Sequence, residues 1–119
     1  MRKLDDINIG IYEKALPKNI SWEERIKLVK ECGYDFMEIS IDETDERLAR
    51  LGYSKEEIKK IRDYLLDADV RIPSMCFSGH RRFPMGSMSQ ETRDKAMELM
   101  EKVIVFADRL GVRTIQLAG

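Results

Sequence analysis

The apolar positions change period along the chain. From Ile7 to Tyr12 the isoleucines at 7, 9 and 11 alternate with small or polar neighbours, the two-residue repeat of a strand. At Ser21 the repeat lengthens. Trp22, Ile26 and Val29 fall on one face of a helix, and Ser21 with Glu24 forms an S-x-x-E capping box at its start. Gly33 is placed to end that helix. Phe36 to Ile41 predicts a second strand, and Thr44 to Leu51 a short helical turn. A second S-x-x-E box, Ser54 and Glu57, opens a helix whose buried face is Ile58, Ile61 and Leu65. Arg71 to Phe77 predicts a third strand, with Pro73 near its beginning, where a missing donor is tolerated. Ser87 or Ser89 opens the longest helix. Met100, Val103, Ala107 and Leu110 form its inner face and Gly111 its end. Arg113 to Ala118 predicts a fourth strand.

Strands and helices thus alternate as β-α-β-α-β-α-β, with short helix–strand joints near Gly33, Asp69 and Gly111. That order implies right-handed βαβ units and a parallel sheet. The strand–helix loops are longer and polar, notably 13–20 and 78–89, and ligands bind at that edge of parallel α/β sheets. The expected class is α/β, with four parallel strands and three connecting helices. Pattern alone leaves two architectures open: a complete open sheet, or half of a (β/α)8 barrel. A whole barrel takes about 250 residues, and this chain has 119. A parallel sheet normally buries both faces. A fourth strand that ends with the chain, uncovered, leads us to expect one partial domain over residues 1–119, the first half of a barrel.

Composition narrows the classes. Acidic and basic residues nearly cancel, leaving a net charge of -1, which argues against a general nucleic-acid or membrane-surface binder. Cys32 and Cys76 form no CxxC pair or Cys/His cluster. We read them as two buried, reduced thiols, and the expected location is the cytoplasm. No apolar run approaches the length of a membrane span, and residues 1–6 lack the apolar region of a signal peptide. The seven methionines, among them Met75, Met97 and Met100, are expected to fill the core.

Chemistry-bearing residues gather at the predicted strand ends. The first loop supplies Tyr12, Glu13 and Lys14. The second supplies Ser40, Asp42, Glu43 and Asp45, the third Ser78, His80, Arg81 and Arg82, and the fourth strand Gln116. His80-Arg81-Arg82 is the sharpest local signal, because a guanidinium fork suits phosphate oxygens. The competing reading is a solvated loop whose arginines pair with nearby acids. The acidic stretch at Asp42, Glu43, Asp45 and Glu46 fits a helix N-terminus better than a metal site. Glu38 lies inside an apolar strand, so it either points into a barrel interior and pairs there or sits at an exposed pleat. Tyr12 either lines a ligand pocket or packs as an ordinary amphipathic residue. No Gly-rich phosphate loop, GxSxG or HExxH occurs, and one histidine cannot build a three-histidine metal site.

The stretches GIYEKALP (10–17), MEISIDETD (37–45), PSMCFSGHRRFP (73–84) and IQLAG (115–119) resemble the L-ribulose-5-phosphate (L-xylulose-5-phosphate) 3-epimerases of bacterial L-ascorbate and pentose catabolism. The resemblance covers essentially the whole chain and falls on loops as well as strands, which is the more telling place for it. That family is similar to the xylose-isomerase-like barrels. It implies epimerisation at C3 of a ketopentose 5-phosphate, with a divalent metal holding the substrate oxygens and two carboxylates moving the proton. It also implies that the metal ligands and acid–base glutamates come from later strands. No catalytic or metal residue is therefore expected here, and this portion alone is expected to bind no metal and to be inactive. Tyr12, His80, Arg81 and Arg82 match family motif positions and are the expected substrate-side residues. The expected partner is a sugar phosphate, not nucleic acid or membrane. Two other readings stay open: a non-catalytic half-barrel that self-associates through exposed edges, and a nuclease-like member of the same superfamily.

Overall fold

A computed structural model describes residues 7–117. Four parallel strands lie in chain order: β1 (Gly10–Tyr12), β2 (Phe36–Ile41), β3 (Ser74–Phe77) and β4 (Thr114–Leu117). They are joined by α1 (Trp22–Glu31), α2 (Asp45–Leu48), α3 (Lys55–Ala68) and α4 (Gln90–Leu110). Single 3-10 turns lie at Glu13–Ala15, Ala49–Gly52 and Gly79–Arg82. The expected order of elements holds, including the short helical turn within Thr44 to Leu51, and 3-10 turns after β1 and β3 are added. Three of the four strands are shorter than the pattern predicts. β1 starts at Gly10 rather than Ile7, because Ile9 spends its backbone groups on Asp35. β3 starts at Ser74. Before it, Arg71 makes an isolated bridge to Phe36, and Pro73 lacks the donor that would extend the ladder. β4 starts at Thr114, and Ala118 lies outside the described residues.

Local chemistry sets the helix ends. Ser21 accepts from the Glu24 N–H at 3.1 Å. Ser54 and Glu57 close a full reciprocal box. Ser89, not Ser87, caps α4, because its Oγ accepts the Thr92 N–H while Ser87 Oγ accepts from Ser89. Gly111 ends α4 at φ 90°, where a side chain would be strained, and Asp69 takes the same left-handed role after α3 at φ 54°.

The strands alternate strictly between two faces. Met37, Ile39, Ile41, Met75 and Phe77 are fully buried against the helices. There they meet Ile26 and Val29 of α1, Ile58 and Ile61 of α3, and Val103 and Phe106 of α4. Ile11 and Ile115 pack on the same core. The intervening residues fall on the opposite face, and the register aligns them in rows. Tyr12 lies beside Glu38, and Ser40, Cys76 and Gln116 follow one another across β2, β3 and β4. No helix among the described residues covers this second face. At its first strand a Cβ on Gly10 would fall 2.0 Å from the Phe36 ring, so the ring keeps this position over β1 only because residue 10 has no side chain.

Two expectations about side chains fail. Cys32 is exposed rather than buried, because it caps α1 at the surface. Met97 is 55% exposed on the outer side of α4 and fills no core, and Met88 is 98% exposed. Met75 is buried as expected, and Met100 packs partly against the core.

Candidate functional site

The C-terminal ends of the strands carry two separate groups of polar residues. The first is on the uncovered face. Tyr12, the last residue of β1, lies half-buried beside Ser40 of β2 and Cys76 of β3. Burial raises the Tyr12 phenol above its ordinary value. The Ser40 hydroxyl beside it opposes that shift, and the Cys76 thiol adds to it. Ser40 is fully buried, and its Oγ makes no hydrogen bond of normal geometry among the described residues. Glu38, one pleat below, accepts a 2.7 Å hydrogen bond from Ser74 Oγ. It lies half-buried on the uncovered face, and its partner is a hydroxyl rather than a charge.

The loop after β3 holds His80, Arg81 and Arg82 in one 3-10 turn. It is seated by Gly79, where a Cβ would come within 3.0 Å of Leu48, the Asp42 carbonyl and Phe77. The His80 ring lies 5.8 Å from that of Phe77, and its Nε2 is buried with no hydrogen-bond partner among the described residues. Arg82 turns to the second loop. Its Nη1 donates to Asp45 Oδ1 at 2.5 Å and to the Glu43 carbonyl at 3.3 Å, and its guanidinium lies 5.8 Å from the Phe83 ring. The paired-loop reading therefore describes Arg82. The acidic stretch behaves as a helix start, with Thr44 as cap and Asp45 and Glu46 in the first turn of α2.

The second group sits around Glu13, directly after Tyr12. Glu13 is only 2% exposed, yet three arginines converge on its carboxylate. Arg50 holds it with both terminal nitrogens, at 2.7 and 2.5 Å. Arg25 and Arg47 each approach at 3.4 Å. The Ser40 N–H donates to Glu13 Oε1, and Arg47 and Arg50 both donate to the Ser40 carbonyl. Trp22 lies against the Arg25 and Arg50 guanidiniums at 4.9 and 4.6 Å and donates its indole N–H to the Tyr53 hydroxyl. Burial alone would raise the Glu13 carboxyl. The hydrogen bonds and charge of Arg50, helped by Ser40 and Arg47, outweigh it and hold the group below its usual range. Burial lowers Arg25, and the Glu13 charge opposes that shift. Sequence reasoning placed Glu13 in the first loop but missed this network. The available signal was Arg25, which falls on the same helical face as Trp22, Ile26 and Val29, a position that calls for a buried anion.

Among the described residues, no three His, Cys, Asp or Glu side chains gather closely enough to hold an ion. The uncovered face offers Glu38 as its carboxylate, already bonded to Ser74.

A parallel sheet with helices on one face, a polar second face and functional groups at its C-terminal edge is the arrangement of a barrel wall. The family model for the xylose isomerase-like TIM barrel matches residues 26–119, and the chain belongs to that family. It is 51% identical over 113 residues to the L-ribulose-5-phosphate 3-epimerase UlaE of Escherichia coli strain SE11, covering 95% of this chain and 40% of that protein. It is 54% identical over 111 residues to the Haemophilus influenzae protein SgbU, which bears the same enzyme name provisionally, covering 93% and 39%. The chain thus spans about two fifths of the length of these relatives. A crystal structure of D-psicose 3-epimerase in the presence of D-fructose superposes with a TM-score of 0.76 at 18% identity, over 94% of this chain and 37% of that one. That likeness establishes the fold. No helix among the described residues is long and apolar enough to cross a membrane.

Proposed function

We propose that this chain forms the first four strands and three connecting helices of a ketopentose-5-phosphate 3-epimerase, acting on L-ribulose 5-phosphate and L-xylulose 5-phosphate in the cytoplasm. The observation that carries the reading is the uncovered polar face, with Tyr12, Ser40 and Cys76 gathered at its C-terminal edge. Parallel sheets are normally covered on both sides, so a polar face with a half-buried phenol suits a barrel interior that meets substrate. The names of the relatives supply the reaction. Tyr12 is the residue we assign to the sugar, as a hydrogen-bonding phenol at the pocket wall. His80 and Arg81, in the 3-10 turn after β3, are the residues we assign to the rim, with Arg82 tying that turn to the α2 loop. We assign the metal and the acid–base carboxylates to the remaining units of the barrel, a reading supported by the lack of any cluster of three His, Cys, Asp or Glu side chains among the described residues. Free thiols at Cys32 and Cys76 suit a reducing compartment.

The test is turnover. The chain is joined to the part of the Escherichia coli relative that it does not match, and conversion of L-ribulose 5-phosphate is followed. The joined barrel is expected to epimerise it, and Tyr12→Phe to lower kcat/KM by roughly tenfold, the worth of one hydrogen bond to substrate. A folded joined barrel without epimerisation contradicts the proposal. So does turnover, or stoichiometric binding of a divalent metal, by the 119-residue chain alone.

A second reading is favoured by the apolar surface beside the open sheet. Leu117 is 48% exposed, and Met97, Ile104 and Val105 of α4 are 46–55% exposed. Such a surface promotes self-association of the chain through its uncovered edge. Light scattering on the purified chain separates a dimer from a monomer.

A further inference from the structure

A cleft of about 270 Å³ opens between the segment after β1, the start of α1 and the α2 region. Five basic side chains line it: Lys14, Lys18, Arg25, Arg47 and Arg50. The three arginines share one carboxylate, Glu13, which leaves two guanidinium charges uncompensated in a nearly closed setting. Arg25 and Arg50 are each only 5% exposed, and the Arg25 Nε makes no hydrogen bond. Their side chains are already fixed, by Glu13, by the Trp22 ring and by the Lys18 and Ile20 carbonyls that Arg25 holds. A binding anion therefore meets ordered donors and need not pay to arrange them. Two carboxylates also face the cleft. Both oxygens of Asp42 are occupied, one by Thr44 and the other by Lys14 at 3.1 Å, so its charge is answered locally. Glu46 stands at the exposed lip.

We propose that this cleft binds a phosphate group, either free or as a monoester. Guanidinium charge held in fixed orientation beside the exposed Lys14 and Lys18 ammoniums suits the charge of a tetrahedral dianion. The cleft shares no lining residue with the Tyr12, Ser40 and Cys76 face. It therefore stands whether or not the epimerase reading does.

Calorimetry on the 119-residue chain tests it, with inorganic phosphate, L-ribulose 5-phosphate and unphosphorylated L-ribulose as probes. Inorganic phosphate and the sugar phosphate are expected to bind one to one, more weakly as salt is raised, and the bare sugar not at all. The surface variant Lys14→Ala with Lys18→Ala should weaken binding by about tenfold. Glu46→Gln should strengthen it severalfold, a gain that no folding defect would imitate. A sugar phosphate that binds about tenfold more tightly than phosphate marks a monoester site, and equal affinities mark a free-phosphate site. No saturable binding of either at about 10 mM, where even a millimolar site fills, overturns the proposal. So does binding that both variants leave unchanged. Loss of turnover in the joined barrel with phosphate binding intact would count against the epimerase reading alone.

Discussion

Met37, Ile39, Ile41, Met75 and Phe77 point to the helices and are fully buried, while Glu38 and Cys76, their neighbours on the same strands, and Gln116 of β4 lie half-buried or exposed on the other face. A purely structural parallel sheet reads as continuous apolar runs, because both of its faces are packed. The strands FMEISI and SMCF alternate instead. One face carries the stability of the unit. The other carries polar residues, and the phenol of Tyr12, its pKa raised by burial, sits at its C-terminal edge.

The largest effect should come from the charged network that ties the two faces together. Glu13→Ala leaves three arginines around an empty position, and breaking a buried pair in this way costs about 3–5 kcal/mol. Urea denaturation should show it, and a change below about 1 kcal/mol, the surface-pair range, would mean the arginines find other partners. Next comes the covered face. Ile39→Ala, at a fully buried site, should cost about 2–5 kcal/mol, whereas Thr114→Ala on the open face should stay within about 0.5 kcal/mol. Equal losses in the two variants would erase the distinction between the faces.

Acid gives a smaller effect. Burial raises the Asp42 carboxyl, but bonds from Thr44 and the Lys14 charge pull it down from 3.8 to about 2. A carboxylate lowered on folding binds its proton more readily in the unfolded chain. Its contribution is therefore complete above about pH 4 and is lost as pH falls toward 2, amounting to about 2 kcal/mol at most. Asp42→Asn should remove that part of the acid dependence in a stability-against-pH series. The smallest effect is local. Ser54→Ala opens the complete box at the start of α3 and should cost about 1 kcal/mol without touching either face.

The order of elements was readable because periodicity and capping agree. Both S-x-x-E pairs sit at helix starts, and Gly111 sits at the end of α4. Strand lengths were less readable. Asp35 captures Ile9 across 26 positions, a partner that a local pattern does not contain, whereas Pro73 stands in plain view and its missing donor shortens the strand it was expected to sit in. The site divides in the same way. Tyr12 falls on the open face by simple alternation from Ile11. The contacts of Glu13 with Arg47 and Arg50 span 34 and 37 positions, so no local motif announces them. Residue type does not decide burial at Cys32 and Met97: the first caps α1 at the surface and the second lies on the outer side of α4.

The central claim, that the uncovered face is the inside of a barrel, is most directly tested by thiol labelling. Cys76 lies on that face and Cys32 on the outer surface, so one chain carries both probe and reference. In the isolated chain both cysteines should react. In the chain joined to the rest of a relative's barrel, Cys76 should become protected while Cys32 reacts as before. Cys76 labelling at the same rate in both forms would show that the remaining strands do not close over this face, and would contradict the account.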